Sequence, residues 1–208
     1  MRIVKGASRN RTLCYDKYMQ LIIINGMPAT GKTTIAKSLS DQLAVPVIAK
    51  DTIKEFLFDT LGIKDREWSR ILGAASSDVL YLLADALLGS GQSIILESAF
   101  ERQYAAPQIE ALRHKYHPEV TEIYCTTERA VRRKRFITRN EMGERHVGHV
   151  DHNNYLSNSD DEPTEKFSAL KLTDSQYIEI DTTDPRNIDM NKLVAILGGT
   201  HVTSDVKA

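Results

Sequence analysis

Nine consecutive residues of this 208-residue chain have the types and spacing of a phosphate-binding loop. The pattern G-x-x-x-x-G-K-[ST] is matched by Gly26-Met27-Pro28-Ala29-Thr30-Gly31-Lys32-Thr33-Thr34. In such a loop the glycines let successive backbone N–H groups point at one anion, and the following helix adds about half a positive charge. We expect these nine residues to bind a nucleoside triphosphate, with Lys32 at its β- and γ-phosphates and the Thr33 hydroxyl on Mg²⁺.

Asp51 is the second group with a recognisable chemistry. It follows the short apolar strand predicted over 45–49 and lies nineteen residues after Lys32. Because parallel strands end at the same edge of a sheet, we expect Asp51 near the loop, where a carboxylate accepts the proton of an attacking hydroxyl. Lys54, on the same helix face, is a candidate for binding the acceptor's charge. Asp51 is also placed to cap that helix, and the two roles are compatible.

Glu97 ends the buried strand predicted over 93–97. P-loop proteins often carry an acid at this place, near Mg²⁺ or near the acceptor. A water-mediated contact with the metal, a contact with the acceptor and a simple helix cap all stay open for Glu97. Arg102 follows shortly and is a further candidate for acceptor binding, with an ordinary surface position as the alternative.

A basic segment begins at Arg129 and ends at Arg139. Within it Arg132, Arg135 and Arg139 are spaced i, i+3 and i+7, which places them on one stripe of a helix. Phosphate oxygens that gather negative charge are suitable partners for such a stripe, since arginine offers forked donors. We therefore predict a catalytic lid, with a solvated helix face or a polynucleotide contact as alternatives.

Two further features flank the predicted site. His146 and His149 lie in a polar loop whose spacing matches no standard metal site, so we interpret them as a substrate or nucleotide clamp or as plain loop polarity. Residues 181–185 form a turn after the last predicted strand, and Thr183 within it is a candidate for framing the adenine. An ordinary Asx-type turn is the alternative there.

The elements that position these residues follow from hydrophobic periodicity. Strands are predicted over 20–25, 45–49, 93–97, 119–125 and 177–181, with helices over about 31–43, 67–89, 101–115, 128–142 and 188–197 and a further one after Asp51. Strands that alternate with helices predict a doubly wound, five-stranded parallel sheet of the α/β class. Helix 67–89 is predicted to bury one broad apolar face, formed by Trp68, Ile71, Leu72, Ala75, Val79, Leu82, Leu83, Ala86 and Leu87.

The length indicates one domain, or one domain with a lid. We assign residues 1–18 to a flexible N-terminal extension, 19–198 to the domain and 199–208 to a tail. The net charge of −1 offers no global field for nucleic acid, so no nucleic-acid partner is expected. Cys14 and Cys125 have no metal-binding spacing, which favours reduced thiols in a cytoplasmic protein. We also expect no membrane span and no secretory signal, and a monomer or homodimer.

The motifs together resemble a known family. Gly26–Thr34, Asp51-x-x-Lys54, the strand 94–100, the arginine helix 132–139 and the ending 179–183 are similar to the small-molecule P-loop kinases of the AAA_33 type. These resemble chloramphenicol phosphotransferase, zeta toxins and polynucleotide 5′-kinase domains. The resemblance implies the P-loop nucleoside triphosphate hydrolase fold of the nucleotide-kinase-like type with a helical lid. It also implies Asp51 as general base and Arg132 or Arg139 as lid arginines.

These observations predict a kinase that depends on ATP and Mg²⁺ and phosphorylates a hydroxyl of a small molecule. Segment 52–89 is expected to bind the acceptor and segment 128–150 to form the lid. The catalytic candidates are Lys32, Asp51, Arg132, Arg135 and Arg139; the acceptor-binding candidates are Lys54, Glu97 and Arg102. Alternatives are a polynucleotide 5′-kinase, a zeta-toxin-like nucleotide-sugar kinase, or a nucleotide-binding regulatory ATPase.

Overall fold

A computed structural model describes residues 19–143, 145–149 and 167–198 of the chain. The predicted extension over 1–18, most of the polar loop over 143–166 and the tail over 199–208 lie outside the described residues. Within the domain predicted over 19–198, the described residues include the sheet, the helices that flank it and the P-loop.

Five parallel strands form a single sheet in the order β2-β3-β1-β4-β5. The strands are β1 (Gln20–Asn25), β2 (Val47–Ala49), β3 (Ile94–Glu97), β4 (Glu119–Thr126) and β5 (Gln176–Asp181). The predicted five-stranded parallel sheet is thereby confirmed. Strand β2 lies at an edge and is preceded by Pro46, which fits this place because proline cannot donate to a central ladder.

Helices connect the strands as the periodicity predicted. They are α1 (Lys32–Leu43), α2 (Lys50–Leu61), α3 (Arg66–Gly89), α4 (Arg102–Tyr116), α5 (Arg129–Glu141) and α6 (Met190–Ile196), with a short 3₁₀ turn over Pro185–Asn187. The last helix is shorter than predicted because the 3₁₀ turn occupies the residues just before it.

Alternating residues of β1 divide the core into two layers. Leu21 and Ile23 face the side covered by α3 and α4, whereas Ile22 and Ile24 face the side covered by α1 and α6. All four side chains are fully buried. A parallel strand covered by helices on both faces must be apolar on both, which is why β1 forms an unbroken aliphatic run. This central strand carries the phosphate-binding loop at its carboxyl end.

The apolar face predicted for the long third helix is wrong. Its buried residues are Ser69, Leu72, Ser76, Leu80, Ala84 and Leu88, so Leu72 alone of the nine predicted residues is buried. Ile71, Leu82 and Leu83 are exposed. The helix is apolar on more than one face, and the face that packs on the sheet carries two serines. Ser76 is tolerated there because its hydroxyl donates to the Leu72 carbonyl.

Helix α3 also meets the length and composition expected of a membrane span, with a mean hydropathy of 1.6. Length and composition alone therefore do not support our expectation that the chain has no membrane-spanning segment. Core helices of folded domains pass the same test. Here α3 packs against α2, α4 and the strands β2 and β3. Its Asp85 accepts hydrogen bonds from Lys115 Nζ at 2.8 Å and the Tyr116 hydroxyl at 2.9 Å, which ties it to α4.

Candidate active site

The phosphate-binding loop follows β1 and owes its shape to residues with positive φ. Gly26 has φ 137° and Gly31 has φ 81°. A Cβ atom at Gly26 would collide with the carbonyl oxygen of Cys125 on the neighbouring strand β4. Glycine is therefore required there for both backbone conformation and space. From Gly31 the chain enters α1, where the backbone N–H groups of Thr34 and Ile35 donate to the Gly31 carbonyl.

Asn25 anchors this loop and was missed by the sequence analysis. Its Oδ1 atom accepts from the backbone N–H of Gly26 at 2.7 Å and of Phe100 at 3.0 Å. Its Nδ2 atom donates to Glu122 Oε1 at 3.1 Å. The side chain therefore joins the start of the loop to the segment after β3. Only its position as a polar residue ending a buried strand could have indicated this role.

Lys32 lies at the centre of a cluster of charges. Its side chain is 7% exposed, and Nζ donates to the Met27 carbonyl at 2.9 Å. Burial lowers the pKa of Lys32, while the negative charges of Glu97 and Asp51 oppose that shift and Arg139 adds to it. The fold thus brings Lys32, Asp51, Glu97 and Arg139 close enough for their charges to interact, although they come from four separate elements.

Glu97 is bound to the P-loop threonine. The Thr33 hydroxyl donates to Glu97 Oε2 at 3.2 Å, and Glu97 is 6% exposed. Burial raises the pKa of Glu97, and Lys32 and the Thr33 hydrogen bond act in the opposite direction. A hydroxyl and a carboxylate side by side are hard oxygen ligands of the kind that Mg²⁺ prefers. Thr33 and Glu97 therefore fit a magnesium ion, directly or through water.

Asp51 lies in the first turn of α2 but does not cap it. The N-cap residue is Ala49, and Asp51 is the second helical residue with no side-chain capping bond. The predicted capping role is wrong because the helix begins directly where β2 ends. Asp51 remains exposed at the mouth of the site, where its charge acts on both Lys32 and Glu97.

The three predicted lid arginines have different surroundings. Arg132 is buried, and its NH1 atom donates to the Met27 sulfur at 2.7 Å. Arg139 lies near enough to act on the charges of Lys32 and Glu97. Arg135 points instead to the turn after β5, where it donates to the carbonyls of Thr182 at 2.6 Å and Thr183 at 3.3 Å. The contacts of Arg135 thus support a role in holding the turn.

The turn after β5 lies against the P-loop, as predicted. The residue that makes the contact is Thr182, whose hydroxyl lies 2.8 Å from the Thr30 carbonyl and 3.0 Å from the Thr126 carbonyl. Thr183 lies one step further away, and its hydroxyl accepts from the backbone N–H of Glu128 at 2.9 Å. Spacing alone does not show which of the two threonine hydroxyls points toward the P-loop, and the contact of Thr183 with the adenine stays a prediction.

The acceptor-binding candidates are less closely gathered. The Lys54 side chain extends from α2 toward Gly73 of α3, and its Nζ lies 5.4 Å from the centre of the Phe58 ring. Arg102 is exposed at the first residue of α4. Glu97 is the one member of this predicted set in direct contact with the P-loop.

A cavity of about 430 Å³ opens beside Glu97 and Thr33 at the edge strand. It is lined mainly by apolar side chains of α1, β2 and α2, among them Ala36, Val47 and Ile53. Asp51 does not line it. The cavity therefore touches the Thr33 and Glu97 side of the site and not Asp51.

The two predicted histidines, His146 and His149, pack against helix α2. His149 is buried, and its Nε2 lies 3.0 Å from Glu55 Oε1; His146 Nε2 lies 3.1 Å from Asp59 Oδ1. Among the residues that the structure describes, no cluster of three or more histidine, cysteine or acidic side chains could hold a metal ion. The pair thus joins the end of the lid segment to α2.

Comparison with known proteins agrees with this geometry. A family model described as an AAA domain, AAA_33, matches residues 21–157. The crystal structure of a candidate kinase from Chloroflexus aurantiacus J-10-fl is 35% identical, with a TM-score of 0.76 over 87% of this chain and 97% of that chain. The predicted resemblance to P-loop kinases is confirmed by these two matches.

Two more distant structures show the same fold. A sugar kinase from Janibacter sp. HTCC2649 is 18% identical, with a TM-score of 0.52 over 88% of this chain and 96% of that one. An APS kinase from Mycobacterium tuberculosis, solved with AMPPNP and APS, is 14% identical, with a TM-score of 0.52 over 88% and 99%.

Curated relatives are longer proteins. An uncharacterized protein of Mycobacterium tuberculosis is 27% identical over 132 residues, which are 58% of this chain and 26% of the relative. The chain therefore matches about a quarter of the length of that relative.

Proposed function

The chain belongs to the AAA_33 family of AAA domains, and we propose that it transfers the γ-phosphate of ATP to a hydroxyl group of a small molecule. The observation that carries this proposal is the charge cluster of Lys32, Asp51, Glu97 and Arg139 at the carboxyl end of the sheet. Ligands of open parallel sheets bind at that end. The cluster holds both cations for phosphate oxygens and an exposed carboxylate for the acceptor.

The P-loop forms the donor half of the site. Backbone N–H groups of the loop and of the first turn of α1 bind the β- and γ-phosphate oxygens. Lys32 exchanges its hydrogen bond to the Met27 carbonyl for one to a phosphate oxygen, which costs little because Nζ already lies in the loop. Thr33 and Glu97 hold Mg²⁺, which when bound neutralises negative charge on the phosphates.

Asp51 forms the acceptor half. The acceptor hydroxyl donates its proton to the Asp51 carboxylate while its oxygen forms a bond with the γ-phosphorus. The bond between the γ-phosphorus and the bridging oxygen breaks, and ADP leaves with the electron pair. The exposed position of Asp51 at the start of α2 supports this role, since an acceptor must reach the carboxylate.

The lid arginines have separate roles in this proposal. Arg139, whose charge acts on Lys32 and Glu97, binds the transferring phosphoryl group, and Arg132 supports the P-loop through Met27. Arg135 holds the turn that carries Thr182 and Thr183 beside the nucleotide. Lys54 and Arg102 remain candidates for contacts with the acceptor. The contact of Glu97 with Thr33 favours the metal over the acceptor as its partner.

ATP consumption against a panel of hydroxyl metabolites, antibiotics, nucleotide sugars and 5′-hydroxyl oligonucleotides tests the proposal. Asp51→Asn is expected to lower acceptor-stimulated turnover by about 10²–10⁴ while ATP affinity stays near normal. Asp41→Asn, at an exposed carboxylate on α1, is the matched control.

Each outcome of the panel supports a different function for the site. Turnover of Asp51→Asn within a few-fold of the wild type would show that Asp51 is not the base. ATP binding without stimulation by any acceptor would favour the regulatory ATPase. Stimulation by the oligonucleotides alone would favour a polynucleotide 5′-kinase, with a steep salt dependence.

A further inference from the structure

The loop over 145–149 is attached to the same face of α2 that carries Asp51. Asp51, Glu55 and Asp59 are spaced i, i+4 and i+8, which aligns their carboxylates along one side of the helix. The second and third carboxylates bind His149 at 3.0 Å and His146 at 3.1 Å. The first carboxylate stays exposed and acts on the charge of His149. Helix α2 thus carries one carboxylate at the candidate site, Asp51, and two that bind the loop over 145–149, Glu55 and Asp59.

An aromatic contact closes this junction. The Phe58 ring is 2% exposed and stacks on His146 with centroids 5.5 Å apart, while His149 meets its edge at 5.9 Å. The backbone of Gly148 lies directly on the ring, so that a Cβ atom there would collide with the Phe58 ring carbons. The loop therefore fits α2 as a specific docked surface.

Hydrogen bonding also sets the state of His146. Its Nδ1 atom accepts from the backbone N–H of Gly148 at 3.1 Å, so Nδ1 carries no proton. Neutral His146 then has its proton on Nε2 and donates it to Asp59. The turn at Gly148 and the hydrogen bond to Asp59 therefore stabilise each other.

The other end of the loop is joined to the arginine helix. The Arg145 guanidinium lies 4.8 Å from the centre of the Phe136 ring, and Phe136 is a buried residue of α5. A chain of contacts thus runs from α5 through residues 145–149 to α2. These two helices carry Arg139 and Asp51, which the proposed reaction needs at the γ-phosphate together.

We propose that residues 145–149 form a latch on Glu55, Phe58 and Asp59, and that His149 and Glu55 are positioning residues for Arg139 and Asp51. This inference rests on the proposed function. The latch holds α5 over the phosphates before the nucleotide arrives. Preorganised donors bind developing charge without a reorganisation cost, so an intact latch strengthens contacts with the γ-phosphate in particular.

Comparison of ATP and ADP binding tests the latch. Isothermal titration with Mg²⁺ and either ADP or a non-hydrolysable ATP analogue gives both affinities. We expect His149→Ala and Glu55→Ala each to weaken binding of the ATP analogue by about tenfold, which corresponds to the loss of one charge-assisted contact with the γ-phosphate. The affinity for ADP should stay within twofold of the wild type. His149→Gln, which keeps an N–H donor for Glu55, should retain most of the affinity. His114→Ala, at an exposed histidine of α4, is the matched control.

Two additional variants keep the test decisive. The double variant should lose no more than either single variant, because both remove the same pair. Gly148→Val should reproduce the loss without removing any charge, since its side chain collides with Phe58. Circular dichroism of each variant verifies that the domain is folded. Loss of the His146–Asp59 contact should give a smaller effect, because the Asp59 side chain is exposed.

The outcomes separate the latch from the proposed function. Equal losses for ATP analogue and ADP would show a merely structural loop and overturn the latch. Unchanged affinities in folded variants would overturn it as well, while acceptor-stimulated turnover of the wild type would leave the proposed function intact. A wild type that binds neither nucleotide would overturn both.

Discussion

The Thr33 hydroxyl donates a 3.2 Å hydrogen bond to the Glu97 carboxylate, which joins the P-loop to the end of the neighbouring strand. The register of the sheet produces this contact, because Ile24 of β1 pairs with Glu97 of β3. The loop that leaves β1 must therefore pass the acid that ends β3. Strand pairing thus brings the P-loop and a carboxylate together.

Glu97→Gln tests this relationship through Mg²⁺. Loss of the carboxylate charge should raise the Mg²⁺ concentration for half-maximal ATP turnover by about 10–100-fold. A magnesium titration of ATP consumption measures the change. Glu119→Gln, at an exposed acid that begins β4, serves as the control. An unaltered magnesium requirement in Glu97→Gln would assign this acid to the acceptor or to a structural role.

Gly26→Ala tests the shape of the P-loop. The new Cβ atom would meet the Cys125 carbonyl in a backbone conformation with φ 137°, so we expect nucleotide binding to be lost and unfolding free energy to fall by more than about 1 kcal/mol. Gly91→Ala is the matched control, because Gly91 also has positive φ but open space around it. Urea denaturation and nucleotide titration measure both effects; similar losses in the two variants would show that the collision is unimportant.

Arg135 and Arg139 should differ when each is replaced by alanine. Arg135→Ala removes hydrogen bonds to Thr182 and Thr183 and should lower the unfolding free energy by about 1–3 kcal/mol. Arg139→Ala should leave stability nearly unchanged and lower phosphoryl transfer by about 10³-fold or more. Thermal denaturation and turnover of both variants measure this separation. The roles would be reversed if Arg135→Ala were stable and inactive.

His149 should titrate below its ordinary pKa of about 6.5. Burial lowers the pKa of His149, Asp51 and Glu55 oppose the shift, and Arg145 and Lys54 add to it. The unfolded chain then binds protons more readily than the folded one, so stability should fall as pH drops below about 6.5. Histidine NMR signals measure the midpoint, with the urea-unfolded protein as reference. A folded midpoint at or above the unfolded one would contradict this expectation.

Residues close to one motif were predictable from local pattern. The P-loop, the strand before it and the helix after it follow from a glycine-rich string between two hydrophobic periods. The position of Glu97 was predictable for the same reason, since a carboxylate that ends a buried strand has few places to lie. The buried face of α3 was not, because a helix apolar on several sides does not reveal which side meets the sheet.

Contacts between distant segments also escaped local pattern. Asn25, Thr182 and Glu55 act through partners 75, 152 and 94 residues away in the chain, and nothing in their immediate neighbours indicates those partners. Arg135 has the same helical spacing as the other lid arginines but turns to the 182–183 backbone. Spacing specifies a helix face, whereas the direction of a long side chain depends on which acceptor packs beside it.

The sequence by itself determined the α/β class, the five parallel strands and the loop for a triphosphate, because hydrophobic period and glycine placement act within a few residues. Only the tertiary structure decided the strand order, the Thr33–Glu97 hydrogen bond and the docking of residues 145–149 on α2. Those features depend on packing and hydrogen bonds between segments far apart in the chain. These contacts form only when the helical layers pack on the two faces of the sheet around β1.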